Sequence, residues 1–190
     1  MSPELPVQLW HLSGSSADAD RILRTGDPNR LNHTFSARGG GGDAGWFRFV
    51  NGHSPDYPEH ILQASYHAMA QALDEIRRDD TAPKDVYIQH WIHKNPVICN
   101  ALVQLTTGSP NPIYHGGLLL ARLRYFDSGQ ECPGLPSDVS ALIDQSQVKN
   151  PQKESFRLQL VNLSPIHYRK VYLQAGTFGR HSFDQIKVGQ

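Results

Sequence analysis

The chain has 190 residues, and Lys plus Arg and Asp plus Glu both number 18, so the net charge is zero with neutral histidines. That length suits one domain, or one domain with a small appendage, and the balanced charge leaves no electrostatic footprint for nucleic acid or an anionic membrane surface. No apolar stretch nears the roughly 20 residues that cross a bilayer, and the opening MSPELPVQLWHLSG lacks the order of a signal peptide, so a soluble, cytoplasmic protein is expected.

In chain order, SSADADRILRTG predicts a short helix from about Ala17 to Arg24, with Ser16 as cap and Gly26 as stop. Residues 27–55 hold no sustained period and read as an irregular loop. Within it, the run from Arg38 to Gly42 suggests a phosphate loop, but it ends in Asp43 instead of Gly-Lys-Ser/Thr, and no strand leads into it. A free tether is also disfavoured, because Trp46, Phe47 and Phe49 follow at once. An ordered loop that either seals a core or offers rings and polar groups to a sugar fits better, with Arg38, Trp46, Asn51, His53 and Tyr57 as its candidate binding residues.

Asp56 and Glu59 have the spacing of a capping box, and Leu62, Tyr66, Met69, Leu73 and Ile76 then mark one face of a helix reaching about Arg78. VYIQHWI reads as a strand with Val86, Ile88, His90 and Ile92 on one face and Tyr87, Gln89 and Trp91 on the other. On a strand, His90 and His93 point apart, which argues against a metal pair; no metal or cofactor is expected. Asn95-Pro96 predicts the start of a second helix, carrying Cys99 as a buried, inert thiol and stopping at Gly108. Cys99 and Cys132 are too few for a disulfide framework.

Tyr114 and His115 precede two glycines and a strand from Leu118 to Phe126, a place where a loop could present rings to a ligand. Arg122 and Arg124 share a face of that strand and would meet solvent, an acidic ligand or a partner's carboxylates. Ser137 caps an expected short third helix, after which FRLQLVNL, KVYLQAG and SFDQIKV predict three consecutive strands in an antiparallel meander. The fold expected is therefore α+β, with an N-terminal extension and Gly/aromatic-rich loop over 1–55 and a single α+β domain over 56–190, helices packed on a largely antiparallel C-terminal sheet.

FRLQLVNLSP followed by KVYLQAGTFGRHSF resembles the closing β-structure after helical catalytic domains in bacterial carbohydrate-processing proteins, and YPEHILQASYHAMAQALDEIRRDD resembles a late helix of such proteins. The resemblance implies a portion of a larger glycan-processing assembly that works with another chain or has lost its catalytic part, and it carries over no site residue. The rings and polar groups of the chain itself suggest a carbohydrate-associated binding or accessory domain, with Trp46, His53, Tyr57, Trp91, Tyr114 and His115 supplying stacking and hydrogen bonds around a shallow cleft. The residues leave two alternatives open. One is a hydrolase or lyase pairing a carboxylate such as Asp56 or Asp127 with a histidine such as His90 or His115. The other is a noncatalytic interaction or assembly module whose rings meet a larger protein partner or a second copy.

Overall fold

A computed structural model describes residues 4–25, 43–110, 120–150 and 153–189, and the fold is α+β. Helix α1 (Glu4–Ser13) buries Val7, Trp10 and His11, which recur at helical spacing, and α2 (Ser16–Thr25) packs on it and buries Ile22. Residues 43–50, expected as loop, form helix α3 (Asp43–Val50). Trp46, Phe47, Phe49 and Val50 are all buried there, and a helix that is covered on most sides shows no amphipathic period to read.

The long helix α4 (Tyr57–Arg77) corresponds to the expected one, with its face shifted by one residue. Tyr57, Ile61, Ser65 and Ala72 are buried, while Tyr66 and Leu73 are exposed. The capping box does not form: Asp56 has helical backbone angles and lies 3.4 Å from His60 Nδ1, and Glu59 accepts from Gln63. Pro58 occupies the second helical position and has no N–H, which removes one of the amides a cap would bind.

VYIQHWI is not a strand. A single 3₁₀ turn (Pro83–Asp85) leads to the short helix α5 (His90–His93), because the His90 side chain is held in a buried polar cluster instead of a ladder. The next helix, α6 (Asn100–Thr107), starts later than Asn95, whose side chain instead accepts the Val97 amide in a local turn. Cys99 flanks that start and is exposed, not buried. The stop at Gly108 is as expected: its φ is +62°, and a Cβ there would lie 2.8 Å from Ile143 Cδ1, so glycine serves both the turn and the close approach of α6 to a strand.

Two antiparallel sheets follow. In the first, β1 (Leu123–Asp127) lies between the two-residue β2 (Cys132–Pro133) and β5 (Val171–Ala175), with Leu123 opposite Ala175 and Asp127 opposite Val171. In the second, β3 (Val139–Asn150) pairs with β4 (Lys153–Asn162) as a two-stranded ribbon. Ser137 thus opens no helix, since the Val139, Ala141, Ile143 alternation is taken up by pairing with β4. The expected three-strand meander is also corrected: β5 returns to β1, and residues 182–188 form no strand and are exposed.

One core joins Val7, Trp10, Ile22, Trp46 and Phe49 to Tyr57, Ile61, Ala101 and Leu105, so residues before and after position 55 share it. A second, under the sheets, gathers Leu123, Tyr125 and Ile143 with Phe156, Leu158 and Leu173. The Tyr125 hydroxyl donates to the Thr106 carbonyl at 2.5 Å and ties the two together, while burial pushes its phenol above the ordinary range.

Arg122, expected at a surface, is instead a buried cross-link. Its Nε donates to Ser146 at 3.0 Å, its Nη1 to the Gly108 carbonyl at 3.3 Å, and its guanidinium forms an ion pair with Glu154. Burial lowers its pKa to about 10, against the opposing pull of Glu154, and burial likewise raises the Glu154 carboxyl above its usual value. His11 completes the network: Nε2–H donates to the Leu120 carbonyl at 2.7 Å, which leaves Nδ1 to accept from Arg122 Nη1 at 2.5 Å. Burial, and then the Arg122 charge, hold this histidine well below the ordinary 6.5, so it is neutral.

A folded-state value below the unfolded one means that the unfolded chain takes up the proton first. The contribution of His11 to stability is therefore intact above about 6.5 and is lost as pH falls through its depressed value. Urea denaturation from neutral to mildly acidic pH should show falling stability in the parent protein and a flatter profile in His11→Asn, whose amide oxygen can stand in for Nδ1. Parallel profiles would remove His11 as the source.

Candidate interaction site

Residues 79–97 leave the end of α4, turn through Pro83–Asp85 and carry α5 on a compact polar cluster. The Asp79 carboxylate is its centre, with a side chain only 7% exposed. Its Oδ1 accepts from the Thr81 hydroxyl at 2.6 Å and the Thr81 amide at 3.2 Å. Its Oδ2 lies 2.5 Å from His90 Nε2 and 2.8 Å from Lys94 Nζ. The hydrogen bond from Lys94, then those from Thr81 and His90, hold the Asp79 carboxyl well below the usual carboxylate range. Lysine has no acceptor and Nε2–H donates to Oδ2, so the 3.2 Å between Lys94 Nζ and Nε2 reflects two donors sharing one oxygen.

The clamp fixes a set of exposed side chains. Tyr87 and Trp91 stand edge-on to His90, at 5.8 and 4.9 Å between ring centroids. Tyr87 is 56% exposed, Ile88 94%, Trp91 55% and Ile92 52%. These four large apolar side chains form a local exposed group on an element anchored by the Asp79 cluster.

Of the residues singled out in the sequence, His90 and Trp91 fall in this site, His90 buried and Trp91 at the surface. Trp46 and Tyr57 are in the core, where Trp46 packs edge-on against Trp10 and the Tyr57 hydroxyl donates to Gln104 at 2.7 Å; both rings are covered by neighbouring side chains. Asn51 and His53 are exposed just after α3, with the Asn51 amide donating to the Phe47 carbonyl. Arg38, Tyr114 and His115 lie outside the described residues.

Asp56 is an exposed neighbour of His60, and Asp127 accepts the amides of Gly129 and Gln130 in the β1–β2 turn, so neither meets His90. The carboxylate that does is Asp79: no sequence motif links positions 79 and 90, and only the turn between them brings them together. A shallow groove of about 360 Å³ on the outer face of α4 is lined by His67, Gln71, Asp74, Glu75 and Arg78 and includes no expected site residue. Among the described residues no group of three or more His, Cys, Asp or Glu is placed to hold a metal ion, and no helix is long and apolar enough to cross a membrane.

A comparison with curated proteins and one with solved structures gave no match. One family model matches residues 1–103, and it is described as a domain of unknown function, DUF8034.

Proposed function

The chain belongs to the DUF8034 family, and for it we propose a noncatalytic protein-interaction function, in which Tyr87, Ile88, Trp91 and Ile92 seat in an apolar surface of a partner protein. The observation that carries this reading is the exposure of Ile88 and Ile92 beside the two rings. Tyrosine and tryptophan alone would suit a sugar face as well as a protein, but aliphatic side chains offer nothing to hydroxyl groups and gain from contact with apolar ones. The Asp79 cluster supports a holding role, since its acceptors are filled by Thr81, His90 and Lys94. An anchored aromatic element loses little conformational entropy on binding. The matched span also takes in the whole of the segment from Asp79 to Val97.

Photo-crosslinking from position 88 in cells that express the protein should give a discrete protein adduct that is absent when the probe sits at exposed Gln63 on α4. Trp91→Ala should weaken that complex by about 2 kcal/mol, roughly thirtyfold, while folding stability changes by no more than about 0.5 kcal/mol. Equal adducts from both positions would count against the reading. So would binding to immobilised oligosaccharides that Trp91→Ala abolishes, which would return the site to the carbohydrate role.

A further inference from the structure

Strand β4 runs for ten residues, contains neither proline nor glycine and, among the described residues, pairs only with β3, which leaves one long edge open. Its register is uninterrupted, because the irregularities fall on β3: Leu158 faces Ile143 and Arg157 faces Gln145, which leaves Asp144 as an extra residue. Natural edges are usually guarded by a charge, a proline or a bulge on the edge strand itself. Here the central charge, Arg157, is drawn back onto its own ribbon, donating to Asp144 through Nε and Nη2 at 2.7 Å each, while Gln159 donates to the same carboxylate. The bulge therefore supplies the carboxylate that neutralises the guard, and β4 itself carries no extra residue.

We propose that β4 is a dimerisation edge, at which two copies of this chain pair antiparallel about a twofold axis through Leu158 and join their ribbons into one four-stranded sheet. The sequence of the strand is self-complementary in that register. Phe156 falls opposite Leu160 of the second copy, Ser155 opposite Val161, Arg157 opposite Gln159 and Glu154 opposite Asn162, with no like charges facing. Centring the axis on Arg157 instead would set two guanidinium groups against each other. On the inner face, Phe156 and Leu158 already pack into the second core, and pairing extends that face across the half-exposed Leu160. A two-stranded ribbon also gains more from added strands than a wider sheet does. The edge lies beyond the matched residues 1–103 and is separate from the Trp91 surface.

Sedimentation velocity of the full chain tests the pairing. The parent protein should show a concentration-dependent dimer in the micromolar range. Ser155→Glu/Val161→Glu places carboxylates opposite each other and should be monomeric with unchanged circular dichroism. Ser155→Glu/Val161→Lys carries as many substitutions at the same two exposed positions but faces opposite charges, and should dimerise again. A parent protein that stays monomeric, a doubly acidic variant that still dimerises, or a folded charge-swap variant that stays monomeric each overturns the proposal.

Discussion

Glu154→Leu is expected to lower folding stability by about 3 kcal/mol, the range for breaking a buried ion pair from one side. The loss comes less from the missing attraction than from what is left behind. The Arg122 side chain is 3% exposed and the Glu154 side chain 33%, so removing the carboxylate strands a guanidinium that water cannot reach, among Ser146, a carbonyl and a neutral imidazole. A second substitution, Arg122→Met, should recover part of that loss, because it removes the stranded charge and keeps most of the volume. Urea denaturation of both single variants and the double variant gives the coupling directly. A Glu154→Leu protein as stable as the parent would show that the pair does not hold the two parts of the fold together.

Trp46→Ala is expected to cost about 3–5 kcal/mol, a large share of the roughly 5–15 kcal/mol that typical domains possess. The indole is wholly buried and contacts Trp10 and His11, with ring centroids at 6.2 and 5.6 Å. Removing it opens a cavity between α1 and α3. Trp46→Phe should cost much less, because the ring is largely kept and the indole N–H, which is buried without a partner among the described residues, is lost. Thermal unfolding of the two variants separates cavity from polar group. Trp91→Ala is expected to differ: substitution of the buried tryptophan should act on folding, that of the exposed one on the proposed binding.

The parts of this fold that could be read from the sequence are those whose cause is local. Gly108 ends α6 because its backbone angle and its crowding by Ile143 both require glycine, and a glycine after an apolar stripe announces as much. The alternation in β4 and β5 likewise follows from each strand having one face on the core. What escaped reading was set at a distance. Ser65 and Ala72, not Tyr66 and Leu73, turn inward on α4, since small side chains let other elements approach, and nothing within the helix distinguishes the two faces. Alternation in VYIQHWI gave way to a clamp whose centre, Asp79, lies eleven residues before His90. For the site, Trp91 and His90 could be found by residue type, but Trp46 is of the same type as Trp91, and burial alone separates the two tryptophans.

The link between His11 and Arg122 spans 111 residues, which bears on the order in which the protein is made. Contacts of such separation raise the contact order and form late, after the intervening loop has been closed. On the ribosome, α1 emerges with its Val7 and Trp10 face complete, yet its anchoring arginine, and the glutamate that balances it, are synthesised long afterward. Until then α1 rests on α3 through Trp10, Trp46 and Phe47 while His11 lacks the arginine that holds it, so this polar tie is among the last contacts to form.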